Sequence, residues 1–163
     1  AEKGDADAQF KLGMLYRDGK DVAQDFVEAA KWILAAAEQG HAVAQNRMAN
    51  MLKVGQGVAR DDEAAVRWYR RAAEQGYGGA QVNLGTMYRD GRGVQRDEGA
   101  AVRWYRRAAE QGHAGGQCRL GDMYRDGRGV GKDVGEAVRW YEAAAAQGHG
   151  GAARAMKVVR ESF

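Results

Sequence analysis

Few side chains of this sequence could act as nucleophiles. Its 163 residues include one serine, one threonine and one cysteine: Ser162, Thr86 and Cys118. A serine-based triad or a Ser-x-x-Lys nucleophile has no suitable residue, and no histidine adjoins Cys118 in the sequence. The single cysteine also excludes an internal disulfide framework. We therefore predict a protein that is not an enzyme and uses no cofactor.

Three histidines, His41, His113 and His149, raise the question of a metal site. Each follows a glycine in a turn-like segment, and they stand 72 and 36 residues apart. Groups on different helix pairs are separated by at least about 8–10 Å, the packing distance between helix axes. Metal ligands must converge to about 2 Å from one ion. The histidines are therefore predicted to be turn residues, and no metal site is expected.

Two Asp-Gly-Arg-Gly segments, at 90–93 and 126–129, have a superficial likeness to phosphate-binding loops. They lack the Gly-Lys-Ser/Thr ending of such loops, and no strand pattern precedes them. A helix that stops at glycine and continues into a turn explains each residue. The pattern therefore predicts a connection between helices, not a nucleotide site.

The whole sequence repeats with a period of 36 residues. The segment at 65–76 recurs letter for letter at 101–112. A fixed period of this length is typical of one supersecondary unit stacked on copies of itself. The positions that keep the step include Trp32, Trp68, Trp104 and Trp140, and Gly40, Gly76, Gly112 and Gly148.

The first half of each repeat has the spacing of an amphipathic helix. In the third copy Ala80, Leu84, Met87 and Tyr88 fall at offsets 0, 4, 7 and 8, which share one face of an α-helix. Gly85 lies beside that face, where a missing side chain would let a second helix approach closely. The first helix is therefore predicted to pack tightly against a partner helix.

The second half predicts another helix, which begins after an aspartate. Asp97 is placed as an N-cap, and Trp104 and Tyr105 with nearby alanines form a broad inner face. Gly112 then stands where a left-handed C-cap is expected. Equivalent aspartates are Asp25, Asp61 and Asp133, and Glu28 and Glu136 follow two of the caps at capping-box spacing. Replacing Trp68 or Trp104 by Ala should therefore cost about 3–5 kcal/mol of stability, the range for large core aromatics.

These motifs resemble the Sel1-like repeat, a relative of the tetratricopeptide repeat. The resemblance rests on A-x-A-Q-x-x-L-G-x-x-Y at 6–16 and on Gly-x-Gly-Val at 55–58, 91–94 and 127–130. It also rests on A-x-x-W-x-x-x-A-A-x-Q-G ending at Gly40, Gly76, Gly112 and Gly148. Two departures are Asp21 in place of the second loop glycine and Met48-Ala49 in place of Leu-Gly. The resemblance implies an all-α fold, a right-handed α–α superhelix of antiparallel helix pairs.

We expect one solenoid over residues 1–163. Its repeats would cover about 4–39, 40–75, 76–111 and 112–147, followed by a C-terminal capping helix at 148–163. End-to-end self-association stays open, since the end faces of an array can stack. The compartment also stays open between bacterial cytoplasm and periplasm or secretion, because no signal peptide or membrane span is present in these residues.

The face of the first helices opposite the core is the expected binding site. Its residues differ strongly between copies while the core positions barely differ, which separates surface from scaffold. The family resemblance implies a scaffold or adaptor for protein–protein interaction, so we expect a protein or peptide partner on a concave face. The candidate residues are Phe10, Met14, Arg17, Asn46, Asn50, Lys53, Val82, Thr86, Arg89, Cys118, Asp122 and Arg125.

Arginines of the second helices leave an alternative function open. They recur in register and could bind a polyanion or glycan, with affinity that falls steeply with salt. A solvated outer face is the favoured explanation, the net charge of +3 is modest, and no separate aromatic residues interleave with the arginines, which disfavours nucleic acid. The stripe comprises Arg67, Arg70, Arg71, Arg103, Arg106, Arg107 and Arg139.

An enzyme is the third class. Some cysteine-rich relatives of the family have been described as β-lactamases, but this sequence lacks their paired cysteines.

Overall fold

The computed structural model describes residues 4–161, and this part of the chain is helical with no strand. Residues 1–3 and 162–163, among them Ser162 and Phe163, lie outside the described residues. The chain divides into two compact units, the first ending at Tyr77 and the second beginning at Gly78. The predicted all-α fold of paired helices is confirmed.

Each unit is a succession of short helices. The first unit contains α1 (Ala6–Asp18), α2 (Phe26–Glu38), α3 (Ala42–Val54) and α4 (Asp62–Glu74). The second contains α5 (Gly78–Asp90), α6 (Glu98–Glu110), α7 (Ala114–Asp126), α8 (Val134–Ala146) and α9 (Gly150–Glu161). Within each unit every helix packs against the next along the chain. None of the described helices combines the length and apolarity that a bilayer crossing requires.

The helices of a pair run antiparallel. In the first pair, Gln39 Nε2 after α2 donates to Gln9 Oε1 near the start of α1 (2.5 Å). At the other end, the Asp25 N–H donates to the Tyr16 carbonyl (2.9 Å). Early residues of one helix thus contact late residues of the other. In the second unit the same two contacts join Gln111 to Gln81 and Asp97 to Tyr88, and Gln147 to Gln117 and Asp133 to Tyr124.

Aspartates cap the second helices, as predicted. Asp97 Oδ1 accepts the Ala100 N–H at 2.8 Å. The reciprocal half of the capping box is absent where it was predicted, because the Asp133 N–H donates to the Tyr124 carbonyl (2.9 Å) and the Glu136 carboxylate pairs with Arg139. Asp25, Asp61 and Asp133 cap their helices in the same way as Asp97.

Glycines of the first helices allow the predicted close approach. A Cβ built on Gly85 would lie 2.7 Å from the Tyr105 ring, and one on Gly121 would lie 2.8 Å from the Tyr141 ring. Real Cβ atoms do not tolerate such distances. The ring of the second helix therefore occupies the space that a side chain at this position would fill.

Tyrosine, not tryptophan, is the fully buried aromatic of the second helices. Tyr69, Tyr105 and Tyr141 are 0 % exposed. Trp104, by contrast, is half-buried, and the Arg107 guanidinium lies 4.7 Å from the centre of its ring. The prediction that the tryptophans are full core residues is therefore wrong. The physical reason is that adjacent positions point about 100° apart on a helix, so only one of the two can face the core directly.

Buried glutamines join consecutive pairs within each unit. Gln45 Nε2 donates to the Ala37 carbonyl at the end of α2 (3.1 Å), and Gln45 Oε1 accepts from Gln75 Nε2 after α4 (2.7 Å). One side chain thus connects three helices. Gln117 does the same in the second unit, bonding to the Ala109 carbonyl and to Gln147.

The second glycine of the inter-helix loop also has a structural reason. Gly57 has φ 70°, and a Cβ there would collide with the Phe26 carbonyl of the preceding pair. Gly129 has φ 65° and would collide in the same way with the Glu98 carbonyl. Asp21, the departure noted at this position, keeps the left-handed backbone with φ 61°.

Candidate binding face of the first helices

The predicted partner-contacting residues occupy three recurring positions on the first helices. All are at least partly buried, and Asn46 (8 % exposed) and Cys118 (7 %) are buried outright. We call them the first face position (Phe10, Asn46, Val82, Cys118), the second (Met14, Asn50, Thr86, Asp122) and the third (Arg17, Lys53, Arg89, Arg125). The face formed in each unit is thus a half-buried surface and not a fully solvated one.

Buried tyrosine hydroxyls fix the second face position. The Tyr69 hydroxyl donates to Asn50 Oδ1 (2.5 Å), and the Tyr141 hydroxyl donates to Asp122 Oδ1 (2.8 Å). Burial and the bond to Asp122 raise the pKa of Tyr141 far above its ordinary value. Tyr141 therefore stays a protonated donor, and the residue opposite each of these two hydroxyls must be able to accept a hydrogen bond.

Thr86 satisfies the same requirement with a hydroxyl. It donates its proton to the Val82 carbonyl (3.0 Å), so Tyr105, 3.1 Å away, is the donor of their shared bond. In the first pair the tyrosine is replaced by Ile33, and the second face position is Met14. The variety at this position thus follows in part from the core residue beneath it.

The third face position is mostly engaged in local ion pairs. Arg125 binds the carboxylate of Asp126 through two hydrogen bonds (2.7 and 2.9 Å), which raise the pKa of Arg125 and lower that of Asp126. Arg17 and Arg89 pair with the aspartates that follow them in the same way. Lys53 precedes a valine and has no ion pair among the described residues; its Nζ lies 5.9 Å from the centre of the Tyr69 ring. Lys53 therefore differs from the three arginines, whose charges are each balanced by a neighbouring aspartate.

The first face position is filled differently in the two units. Phe10 stacks on His41, with ring centroids 4.8 Å apart. Val82 and Cys118, the equivalent residues of the second unit, are smaller. Burial, followed by the nearby Asp122 charge, raises the pKa of the Cys118 thiol. The thiol is therefore protonated at neutral pH and is not an activated nucleophile.

A cavity of about 470 Å³ opens on the face of the second unit. Residues of α5, α7 and the start of α9 line it, including Val82, Cys118, Asp122 and Arg125 from the predicted set. Arg119, His149 and Arg154 line it as well. The structure thus brings four predicted residues together with three that sequence reasoning missed.

Two of the missed residues had a signal in the sequence. Arg154 is 36 residues after Cys118, so it occupies the first face position continued into α9. His149 is one of the turn histidines. Arg119 is 36 residues before Ala155 and adjoins Cys118, and nothing in the repeat pattern distinguished it from an ordinary surface residue.

The turn histidines cap helices. His41 Nδ1 accepts the Ala44 N–H (3.0 Å), and His113 and His149 cap α7 and α9 in the same way. Because Nδ1 is the acceptor, the neutral ring carries its proton on Nε2. Among the side chains described within residues 4–159, no group of three or more His, Cys, Asp or Glu residues could hold a metal ion.

Several arginines of the predicted stripe contact side chains of their own helix or of the next one. Arg71 stacks on Trp68, and Arg107 stacks on Trp104, each 4.7 Å from the ring centre. Arg106 donates to the Tyr124 hydroxyl at 2.7 Å. No finding supports binding of a polyanion or glycan at this stripe.

Antiparallel helix pairs built on one recurring set of glycine, glutamine, tyrosine and capping aspartate define a helical-repeat protein. The Sel1 repeat family model matches residues 6–41, 42–77, 79–113 and 114–149, and the chain belongs to this family. Sel1 repeat proteins generally serve as non-catalytic scaffolds for protein interactions.

Solved structures agree with this assignment. The chain is similar to a protective antigen of uropathogenic Escherichia coli that displays an SLR (Sel1-like repeat) fold, with 44 % identity and a TM-score of 0.87. The match covers 90 % of this chain and 32 % of the antigen. It is also similar to a Sel1 repeat protein from Oxalobacter formigenes (38 % identity, TM-score 0.90), covering 95 % of this chain and 62 % of that protein. The chain therefore spans less than two thirds of either relative.

A more distant likeness concerns the fold alone. Cysteine-rich protein B of Helicobacter pylori is 23 % identical with a TM-score of 0.64, covering 80 % of this chain and 93 % of that protein. None of the curated proteins matches the chain significantly.

Proposed function

We propose that this protein is a non-catalytic adaptor that binds a segment of a partner protein on the first-helix faces of its two units. The observation that carries the proposal is the contrast within each pair. Residues that join the helices recur with little change, whereas residues at the first and second face positions differ in size, polarity and charge. A fixed scaffold beneath a varied surface is what selective recognition requires.

The chemistry of the face also favours binding over catalysis. Its one thiol has a raised pKa, its tyrosine hydroxyls are buried donors, and its second-position carboxylate, Asp122, accepts a hydrogen bond from Tyr141. None of these groups is prepared to attack a substrate. Half-buried side chains of mixed polarity, including Phe10, Lys53 and Val82, supply contact area instead.

A charge-reversal experiment tests the proposal. Lys53→Glu with Arg89→Glu alters the first-helix face of both units. The matched control, Arg67→Glu with Arg103→Glu, makes the same change of net charge on the second helices. Circular dichroism melts confirm that both double variants fold, and tagged proteins then recover partners from a lysate of cells that express the chain naturally.

We expect recovery of specific partners to fall sharply with the first-helix variant and to persist with the control. Equal recovery by the first-helix variant and the unaltered protein would refute the proposal. Loss confined to the control would instead support binding through the arginine stripe.

A further inference from the structure

The cavity of the second unit has the form of a small ligand site. Its volume of about 470 Å³ lies within the range of about 300–1,000 Å³ that is usual for such sites. Gly115 of α7 and Gly151 of α9 line it without side chains, and Val82 and Ala155 add apolar surface. The two glycines thus contribute backbone and no side chain to the lining.

The charge at the cavity is positive. Three arginines line it, Arg119, Arg125 and Arg154, against one carboxylate, Asp122. The lining residues thus carry a net charge of +2, from three positive side chains and one negative. Asp126, which pairs with Arg125, lies outside the lining and reduces the effective excess to about one unit.

The carboxylate and one of the arginines are already engaged. Asp122 accepts the Tyr141 hydroxyl (2.8 Å), and Arg125 is held by Asp126 (2.7 Å). These two residues therefore shape the cavity and contribute to its charge, but most of their hydrogen-bonding groups are already used.

Two guanidinium groups keep their donors for a ligand. Arg119 approaches a carboxylate no closer than 3.6 Å, at Asp122, and Arg154 is exposed with neither an ion pair nor a hydrogen bond to the side chains described within residues 4–159. His149, whose Nδ1 accepts the Ala152 N–H, has its remaining ring nitrogen as a further donor when neutral. An arginine presents its donors in a planar fork that matches a carboxylate.

We propose that this cavity binds a carboxylate of a peptide, with Arg119 and Arg154 as its ligands and Val82 and Ala155 against the aliphatic part of the same residue. The inference rests on the proposed function, because it names the chemistry of the partner segment that the second unit accepts. A single negative charge neutralises the positive excess of about one unit at the cavity, whereas a doubly charged phosphate would leave the cavity with a net negative charge. The carboxylate can come from an acidic side chain or from a chain terminus.

Defined peptide pools distinguish these sources. The pools are N-acetylated heptapeptides with a fixed central residue and random neutral or basic residues elsewhere. One pool has central Glu and an amidated end, one has central Gln and an amidated end, and one has central Gln and a free C-terminal carboxylate. Titration is followed by NMR of the arginine Nε–H signals, assigned through the single variants Arg119→Gln and Arg154→Gln.

We expect a pool with a carboxylate to shift the Arg119 and Arg154 signals at about tenfold lower concentration than the amidated Gln pool, the scale of one charge-assisted hydrogen bond. A stronger effect of the Glu pool identifies a side-chain carboxylate, and a stronger effect of the free-terminus pool identifies a terminal one. Equal titration by all three pools, or no shift at either arginine, would overturn the inference.

Variants provide a second readout. Arg154→Gln and Arg119→Gln should each weaken binding of the effective pool by about tenfold. Asp122→Asn should keep or strengthen it, since Asn50 shows that an amide accepts the tyrosine hydroxyl at this position. The matched control is Arg103→Gln, which should leave the affinity unchanged. Undiminished binding by Arg154→Gln and Arg119→Gln would contradict the proposed ligands.

The two proposals fail in different ways. Suppose that charge reversal at Lys53 and Arg89 abolishes partner recovery, but all three peptide pools bind equally and Arg154→Gln does not weaken their binding. The carboxylate site is then wrong and the adaptor proposal stands. If partner recovery survives charge reversal, the adaptor proposal itself is wrong.

Discussion

The two units build the same face with different chemistry. In the first unit Phe10 stacks on His41, and the amides Asn46 and Asn50 follow at the next pair. In the second unit the equivalent side chains are smaller or charged, and a cavity lined by Val82 and Asp122 takes the place of the aromatic stack. The helix scaffold therefore tolerates different side chains on the face, as long as the residue opposite the buried tyrosine can accept its hydrogen bond.

One register position shows the contrast most directly. Arg47 of the first unit and Arg119 of the second are separated by 72 residues. Arg47 is half-buried with its Nε unpartnered, and burial, then the nearby Arg17, lowers its pKa. Arg119 stands in the wall of an open cavity. An arginine at this register position is thus buried at a cost in stability in the first unit, whereas in the second unit its guanidinium faces a cavity.

The largest effect should come from the buried tyrosines, and it should be similar in the two units. Tyr69→Ala and Tyr141→Ala should each lower the free energy of unfolding by about 3–5 kcal/mol, because a large ring is removed from a fully buried site. Chemical denaturation with two spectroscopic probes measures the loss. As a control, Trp104→Ala should cost at least about 1 kcal/mol less, since Trp104 is half-buried. A tryptophan variant less stable than the tyrosine variants would reverse this ranking of the core.

A smaller effect should separate the units at the close helix approach. Gly121→Ala should destabilise the protein by about 1–3 kcal/mol, because the new Cβ would press on the Tyr141 ring. Ala49, the equivalent residue of the first unit, is fully buried, and Ala49→Gly should cost about 1–2 kcal/mol, because helix propensity falls and a buried methyl group is lost. Urea midpoints of both variants provide the test. If Gly121→Ala proved stabilising, α7 and α8 would have to move apart to a distance that accommodates an alanine, as α3 and α4 do at Ala49.

Removal of the tyrosine hydroxyls should cost different amounts of stability in the two units, because one acceptor is charged and the other is neutral. Tyr141→Phe removes a bond to a carboxylate and should cost about 1.5–3 kcal/mol, whereas Tyr69→Phe removes a bond to an amide and should cost about 1 kcal/mol. When Tyr141→Phe is made in a protein that already carries Asp122→Asn, the lost bond is again one to an amide, so its cost should fall to about 1 kcal/mol. Equal losses for both phenylalanine variants would show that the charge of Asp122 is fully screened by its arginine neighbours.

The smallest effect concerns the unpartnered arginine. Arg47→Met should leave stability unchanged within about 0.5 kcal/mol or raise it, because an unsatisfied buried Nε and repulsion from Arg17 disappear together. Arg119→Met, made at an exposed position, is the control and should also be neutral. A loss above about 1 kcal/mol in Arg47→Met would mean that its packing outweighs the orphaned donor.

Most of the scaffold could be predicted from the sequence, because it depends on local rules. The aspartate caps, the left-handed glycines and the approach at Gly85 each follow from a short segment and its helix period. The choice between Trp104 and Tyr105 could not be made, since neighbouring residues share one broad face and only the rotation of the helix decides which is buried. The neutralised third face position was also missed, because residues one apart do not normally face each other on a helix.

The cavity was beyond sequence reasoning for a different reason. It is lined by residues of three helices, α5, α7 and α9, that do not follow one another directly in the chain. Continuing the 36-residue register into α9 would have found Arg154. No periodic pattern would have shown that Arg119 lies beside it.

Site-specific photo-crosslinking tests the central claim most directly. A photoreactive phenylalanine analogue is placed singly at Lys53 and Val82 on the first-helix faces, and at Arg67 and Arg103 on the second helices, in cells that express the chain naturally. Crosslinked partners are identified by mass spectrometry. Our account predicts specific adducts from Lys53 and Val82 and none from the other two positions. Adducts confined to Arg67 and Arg103 would contradict it.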